Sequence, residues 1–378
     1  PINLAKTKKI AVIGENAIKM MTVGGGSSSL KVKYETSPLD GIKARFGKNA
    51  EVNYARGYVG DVGGEYNGVK TGKDLTDKRS PAELTKEAVE LAKKSDFVIF
   101  VGGLNKSDFQ DSEGNDRKEL GLPYNQNELI SALAKANKNF AVLMVSGNAV
   151  AMPWVKEVPS IVQAWYLGSE SGNAIASILA GDANPSGKLP FTFPVKLEDN
   201  AAHAVGEYPG NKEELALGKG KDQQNPINIT YNESILVGYR WHDTKNIKPL
   251  FSFGHGLSYT TFEIGQAKAD KTNITENETI TFTIPVKNTG KKAGAEVVQL
   301  YVSDLKSSVL RPAKELKGFE KVYLNPGETK NVTITIDKSA LSYFDAEKHD
   351  WVAEPGDFEA LIGNSSDAIK TKIKFSLH

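Results

Sequence analysis

The chain has 378 residues and a formal net charge of +1, from 47 Lys and Arg against 46 Asp and Glu, and it contains no cysteine. The balanced charge argues against a nucleic-acid partner, and the lack of cysteine excludes disulfides, thiol catalysis and cysteine-ligated metal sites. No apolar run approaches the roughly 18–20 residues needed to span a bilayer, and the length suits two domains rather than one core.

The first half of the chain alternates apolar runs with amphipathic segments. Predicted strands cover 9–14, 51–55, 97–103, 141–147 and 160–165, and predicted helices begin at 37 and 80 and cover 126–136 and 168–181. Residues 56–79 lack this pattern and are predicted to form a long surface loop. Because the runs are apolar on both faces, they predict a mostly parallel sheet with helices on both sides, an α/β fold.

A glycine-rich segment, Gly24–Ser29, follows the first predicted strand. Such a segment can bind phosphate at a helix N-terminus. Here no G-x-G-x-x-G pattern and no P-loop lysine accompany it, so nucleotide binding is disfavoured. The other interpretation is a glycine turn that permits a close backbone approach.

The loop after the strand at 97–103 concentrates ionisable side chains: Asp111, Glu113, Asp116 and Arg117 lie within seven residues. Ligands of open α/β sheets bind beyond the carboxyl ends of the strands, so chemistry is expected here. The alternative is a solvated loop whose shape is fixed by an ion pair between Asp116 and Arg117.

The second half of the chain changes character. Prolines are dense in 185–194, residues 200–226 are polar, and 231–260 combine aromatic residues with glycine. The aromatic stretch suits either a packed inter-domain seam, which we favour, or a sugar-stacking platform; His255 within it is interpreted as structural. From 262 onward, short alternating strands separated by turns predict an antiparallel β-sandwich, interrupted by a charged loop at 311–319.

Three segments carry a resemblance to a known family: S-E-G-N-D-R at 112–117, P-S-G-K-L-P-F-T-F-P at 185–194, and R-P-A-K-E-L-K-G-F at 311–319. They resemble glycoside hydrolase family 3, the β-glucosidase family. The resemblance implies an α/β sandwich domain at 1–200, a linker and inter-domain seam at 201–261, and a fibronectin type III-like domain at 262–378.

The resemblance also implies residue roles. Glu113 is expected to be the general acid/base that protonates the leaving glycosidic oxygen, Ser28 to contact the sugar, and Asp116 and Arg117 to orient the loop; Asp111 is a weaker candidate for the acid. In the complete site, a closed cleft and the charge of the nucleophile should raise the pKa of Glu113. No cofactor and no metal are expected, because the five histidines show no metal-ligand spacing.

The family's (β/α)8 barrel, which carries the aspartate nucleophile, needs about 250 residues and has no counterpart here. We therefore expect this chain to be the C-terminal part of a larger retaining enzyme acting on β-glucosides, with the barrel as a partner in cis or on a separate chain. Secretion or a periplasmic location is favoured by the resemblance alone. The alternative is a non-catalytic module of the same fold that binds carbohydrate or a protein partner.

Overall fold

The computed structural model describes residues 1–60, 65–66, 69–70, 75–113, 116–206, 208–219 and 226–378. These residues divide into two compact units, Pro1–Ala183 and Asn184–His378. Among the described helices, none combines the length and the apolar character that a membrane span requires.

A parallel sheet forms the centre of the first unit. The strands of this unit are β1 (Lys9–Ile13), β2 (Glu51–Ala55), β3 (Glu65–Tyr66), β4 (Val69–Lys70), β5 (Phe97–Gly103), β6 (Phe140–Val145) and β7 (Ser160–Gln163). Five of them pair in the order β2-β1-β5-β6-β7, and every pairing is parallel. Strands β1, β5 and β6 are almost completely buried, which explains their apolar character on both faces.

The helices of the first unit are α1 (Pro38–Phe46), α2 (Pro81–Lys93), α3 (Gln126–Ala136) and α4 (Ser171–Ala180). Each of the first two begins with a serine cap followed by proline. Ser37 accepts a hydrogen bond from Asp40 N, and Ser80 forms a reciprocal capping box with Glu83. These are the helix starts that the sequence predicts.

The predicted surface loop at 56–79 is more structured than expected. Strands β3 and β4 form a small hairpin within it, and Arg56 and Tyr58 are buried at its start. Positions 61–64, 67–68 and 71–74 of this prediction lie outside the described residues.

The second unit is mainly antiparallel. Its strands are β8 (Phe262–Ile264), β9 (Lys268–Ala269), β10 (Asn273–Ile274), β11 (Ile280–Asn288), β12 (Gly294–Asp304), β13 (Glu315–Leu324), β14 (Thr329–Ile336), β15 (Tyr343–Asp345), β16 (Asp350–Val352), β17 (Gly356–Gly363) and β18 (Ile369–Leu377). Short helices are α5 (Ala201–Ala204), α6 (Lys212–Ala216), α7 (Tyr239–Lys245) and α8 (Lys338–Leu341).

Two sheets enclose the core of this unit. One has the order β10-β18-β17-β12-β13, and the other follows β14-β11-β8 with β9 paired to β11. The aromatic rings of Phe282, Phe358 and Phe375 meet between them. The predicted fold class, an α/β domain followed by a β-sandwich, is therefore confirmed.

The charged loop predicted at 311–319 is wrong for its second half, because β13 begins at Glu315 and pairs with β12. Charge is tolerated there because it is neutralised: Arg311 Nη2 lies 2.8 Å from Glu315 Oε2. Of the polar segment 200–226, which also contains α5 and α6, residues 207 and 220–225 lie outside the described part.

The aromatic stretch of 231–260 packs within the second unit. The ring of Tyr239 stacks on Phe253 at 4.7 Å between centroids and meets Tyr301 edge-on at 5.8 Å. His255 stacks on Phe251, and burial lowers its pKa. These rings are occupied by protein contacts, as expected for packing rather than for a sugar platform.

Close packing of α1 against α4 yields a stability prediction. A Cβ added to Gly172 would lie 2.0 Å from the carbonyl oxygen of Ser37, whereas one added to Gly121 would meet no atom of the described residues within 4 Å. Gly172→Ala should therefore lower the free energy of unfolding by roughly 1–3 kcal/mol, the usual cost of overpacking. Urea denaturation followed by circular dichroism measures this, with Gly121→Ala as the matched control; equal stability of the two variants would contradict the packing.

Candidate active site

The carboxyl ends of the five parallel strands lie at one edge of the sheet, and besides the segment after β2, four loops extend from that edge. They are residues 14–37 after β1, 104–125 after β5, 146–159 after β6 and 164–170 after β7. The predicted candidates Ser28, Glu113, Asp116 and Arg117 all belong to the first two of these loops. This edge is where open α/β sheets place their ligands.

Glu113 contacts the glycine turn at 24–29. Its Oε2 accepts hydrogen bonds from Ser27 N at 2.7 Å and from Ser27 Oγ at 2.5 Å. Its own backbone N–H donates to the carbonyl oxygen of Gly25 at 3.3 Å. The two loops that carry the predicted site are thereby joined directly.

The glycines of this turn make the contact possible. Gly25 and Gly26 have φ values of 79° and 82°, in the left-handed region that favours glycine. A Cβ on Gly26 would lie 2.5 Å from the Cβ of Glu113 and 2.6 Å from its Oε2. The glycine run therefore permits a close approach of a carboxyl group, in agreement with the second interpretation of this segment.

The electrostatic state of Glu113 differs from the expectation for the complete site. The carboxyl is exposed in this chain, and the two hydrogen bonds from Ser27 lower its pKa below the ordinary value for a glutamate. The raised pKa expected of a general acid depends on desolvation and on a neighbouring negative charge. Within the described residues, the hydrogen bonds from Ser27 outweigh the effect of desolvation on Glu113.

Asp111 has a different environment. Its Oδ2 accepts hydrogen bonds from Gly147 N at 2.7 Å and from the hydroxyl of Tyr166 at 2.8 Å, and its Oδ1 accepts one from Asn148 Nδ2 at 2.6 Å. Burial and then the adjacent carboxylate raise the pKa of Tyr166. Through these three donors Asp111 joins the β5 loop to the loops after β6 and β7.

Arg117 also connects two loops. Its Nη1 donates to Ala149 O at 2.8 Å, and its Nη2 donates to Leu120 O at 2.8 Å and to Gly121 O at 3.3 Å. Burial lowers the pKa of this guanidinium. Asp116 beside it is exposed.

Ser28 is exposed at the same turn, and its hydroxyl donates to Gly25 O at 3.2 Å. Lys106 Nζ donates to the carbonyl oxygen of Ser28 at 3.3 Å and lies 5.8 Å from the ring centroid of Tyr166. Burial lowers the pKa of this lysine. The β5 loop thus binds the turn through Lys106 as well.

A buried polar framework supports the β5 loop. Gln126 accepts from Gly103 N and donates to Gly103 O, both at 2.8 Å. Gln110 donates to the hydroxyl of Tyr124 at 2.8 Å and accepts from Asn105 N at 2.9 Å. These contacts hold the two ends of the loop while its centre carries the ionisable side chains.

Sequence reasoning did not identify Ser27, Tyr166 or the linking role of Asp111. The glycines and the three serines after them predicted a turn in the right place. Only the path of the backbone, however, shows which serine faces Glu113. Tyr166 follows a predicted strand, at the edge of the sheet where ligands are expected, and this position could have marked it as a candidate. Within the described residues, no group of three or more His, Cys, Asp or Glu could hold a metal ion.

Known protein families match both parts of the chain. The glycosyl hydrolase family 3 C-terminal domain matches residues 1–259, and the fibronectin type III-like domain matches residues 296–366. The chain therefore belongs to glycoside hydrolase family 3, and it corresponds to that family's C-terminal portion.

Several relatives carry β-glucosidase names. Beta-glucosidase BoGH3A of Bacteroides ovatus is 51% identical over 377 residues, covering 99% of this chain and 48% of that protein. Thermostable beta-glucosidase B of Acetivibrio thermocellus is 42% identical over 369 residues, covering 98% and 44% respectively. The chain thus spans about half the length of the curated relatives it matches.

Solved structures of β-glucosidases are also similar to this chain. A β-glucosidase from Kluyveromyces marxianus in complex with glucose has a TM-score of 0.85 and 29% identity, covering all of this chain and 59% of that one. The family 3 β-glucosidase of Bifidobacterium adolescentis has a TM-score of 0.82 and 34% identity, covering 99% of this chain and 49% of that one. Both likenesses extend over both units of the chain.

The linking role of Asp111 can be tested by hydrogen exchange. Asp111→Asn places an amide donor among three donors, so the bond to Gly147 N should weaken and that backbone amide should exchange faster. Mass-spectrometric exchange over 146–150 measures the change. Asp108→Asn on the same loop is the control, because Asp108 is exposed; unchanged exchange in Asp111→Asn would show that the carboxylate does not hold the loops together.

Proposed function

We propose that this chain supplies the general acid/base of a retaining β-glucosidase, with Glu113 as the carboxyl group that transfers the proton. The nucleophile would belong to a (β/α)8 barrel outside these 378 residues. The substrate class is a terminal β-D-glucosyl residue or a related β-glycosyl residue. The β-glucosidase names of the relatives support this class.

One observation carries the assignment of the acid/base. Two carboxyl side chains, Asp111 and Glu113, lie on the β5 loop beside the glycine turn, and their surroundings differ. Asp111 uses both oxygens on three donors, whereas Glu113 is exposed and, among the described residues, engages donors at one oxygen. Of these two carboxyl groups, Glu113 is the one that retains an oxygen for a substrate.

The mechanism requires two carboxyl groups about 5–5.5 Å apart. In the first half-reaction, protonated Glu113 gives its proton to the glycosidic oxygen. That oxygen leaves the anomeric carbon, and the nucleophile forms a bond to the same carbon. In the second, the Glu113 carboxylate takes a proton from the water that displaces the nucleophile. Desolvation by a docked barrel and repulsion by the nucleophile would raise the pKa of Glu113 from its low value here.

The exposed apolar side chains support a docked domain at this edge. Among the described residues of the first unit, the large apolar side chains that remain exposed all belong to the loops after β1, β5 and β7: Leu30, Tyr34, Phe109, Tyr124 and Leu167. Apolar side chains clustered at one edge mark a surface that a partner covers. This favours an enzyme part over a free-standing carbohydrate-binding module.

The remaining candidates take secondary roles in this proposal. Ser28 would contact the sugar from the exposed side of the glycine turn. Arg117, through its bonds to three carbonyl oxygens, would orient the loop that carries Glu113, together with Asp116. No cofactor or metal takes part.

The assignment can be tested in a hybrid enzyme, in which this chain replaces the matching C-terminal part of the Bacteroides ovatus relative. Glu113→Gln should reduce kcat/KM by a factor of 10² to 10⁴ on alkyl glucosides, because general acid catalysis contributes about that much. The loss should be far smaller on dinitrophenyl glucoside, whose leaving group needs no proton. Steady-state rates on the two substrates measure the difference.

Glu119→Gln is the matched control, because Glu119 is an exposed glutamate of the same loop, and it should retain activity on both substrates. Equal losses on both substrates in Glu113→Gln would contradict the acid role. An inactive hybrid with the native Glu113 that still binds glucosides would favour the binding module.

A further inference from the structure

The contact between Ser27 and Glu113 has an unusual form, because both donors of one residue meet a single carboxylate oxygen. Ser27 N and Oγ approach Oε2 at 2.7 and 2.5 Å. In the part of the chain that the structure describes, Oε1 of Glu113 accepts no hydrogen bond. The two oxygens of the carboxyl group are therefore not equivalent.

The turn that presents Ser27 is held together by its own contacts. Gly24 N donates to Ser29 Oγ, and Ser29 N donates to Gly26 O, both at 3.0 Å. The hydroxyl of Ser28 donates to Gly25 O within the same turn. Ser27 is thus directed toward Glu113 by a turn that its own residues close.

We propose that Ser27 is a positioning residue for Glu113: its two donors occupy Oε2, so that Oε1 is the oxygen that carries and transfers the catalytic proton. This inference rests on the proposed acid/base role. The proton on Oε1 moves to the glycosidic oxygen as that oxygen keeps the electron pair of the broken bond. In the second half-reaction Oε1 takes back one proton from the attacking water, which restores the carboxyl group.

The same contact favours one protonation state. Two donors stabilise the carboxylate more than the carboxylic acid, whose carbonyl oxygen is a weaker acceptor. Ser27 therefore keeps Glu113 ionised, as the base half-reaction requires, and lowers the protonated fraction that is available for the acid half-reaction. A merely structural serine would leave the ratio of the two protonation states unchanged.

The two hydrogen bonds from Ser27 are the largest causes of the lowered pKa of Glu113. The remaining charged side chains of the β5 loop are Lys106, Asp108, Asp111, Asp116, Arg117, Lys118 and Glu119. Lys106 reaches Ser28 O, and the Asp111 carboxylate and the Arg117 guanidinium are directed to other loops. From the β1 loop, Glu35 accepts hydrogen bonds from Met21 N and Thr22 N, away from the turn.

The first test is a titration of Glu113 in this chain by carbon-13 NMR of labelled glutamate carboxyl groups, with the signal assigned by its loss in Glu113→Gln. The pKa of Glu113 should rise in Ser27→Ala and stay near the native value in Ser27→Thr, which keeps a hydroxyl. Ser107→Ala on the β5 loop is the control, because Ser107 contacts its neighbours through its backbone, and it should leave this pKa unchanged. A Ser27→Ala titration identical to the native one would overturn the proposal.

The second test is the pH dependence of the hybrid enzyme on alkyl glucosides. The basic limb of kcat/KM reports the pKa of the essential acid in the free enzyme. Because Ser27→Ala raises that pKa, Glu113 stays protonated to higher pH and the basic limb should move to higher pH, with Ser27→Thr restoring the native profile. If Ser27→Ala raises the pKa of Glu113 in the NMR titration but leaves the basic limb of kcat/KM in place, Ser27 has no role in catalysis through Glu113.

The tests distinguish a failure of the proposed acid/base role from a failure of the role of Ser27. If Ser27→Ala moves the titration but Glu113→Gln shows no dependence on the leaving group, the proposed acid/base role fails, and the inference about Ser27 as a positioning residue fails with it. If Glu113→Gln behaves as an acid variant and the titration does not move, only the role of Ser27 is overturned.

Discussion

The site depends on the close approach of the glycine turn after β1 to the loop after β5. A Cβ on Gly26 would lie 2.5 Å from the Cβ of Glu113, so a side chain at that position would force the two loops apart. The parallel pairing of β1 with β5 brings the loops to the same edge, and the absence of a side chain at Gly26 lets them touch. The serine donors can reach the carboxyl group only because of this approach.

Two carboxyl groups of the β5 loop, those of Asp111 and Glu113, have different surroundings. Asp111 is held by donors from the loops after β6 and β7, and it fixes the loop at one end. Glu113, two residues later, is exposed, and among the described residues its carboxyl group accepts hydrogen bonds from the glycine turn. A carboxylate whose two oxygens both accept bonds from other loops is a good anchor, whereas an exposed one can contact a substrate.

Much of this arrangement was predictable from sequence. The buried strands β1, β5 and β6 are continuous apolar runs, and the capping serines Ser37 and Ser80 mark the helix starts, so periodicity and local capping chemistry sufficed for the α/β fold. The position of Glu113 at the carboxyl edge followed from the strand that precedes it. The resemblance of the surrounding motif to glycoside hydrolase family 3 implied the role of general acid/base.

The finer geometry was not predictable, because it depends on contacts between residues distant in sequence. Ser27 and Ser28 are adjacent and chemically identical, and only the left-handed turn at Gly25 and Gly26 decides which hydroxyl faces Glu113. The bond between Asp111 and Tyr166 crosses 55 residues. Strand β13 begins inside a charged segment because Arg311 and Glu315 neutralise each other, a pairing that composition does not reveal.

The central claim is that Glu113 transfers the proton in both half-reactions, and azide rescue tests it most directly. In the hybrid enzyme, Glu113→Ala should form the glycosyl-enzyme from dinitrophenyl glucoside without an acid, and then stall for lack of a base. Azide needs no base, so the account predicts that azide restores turnover and yields β-glucosyl azide, because two inversions retain the configuration. Stalled turnover that azide does not restore, with no glucosyl azide formed, would contradict the account.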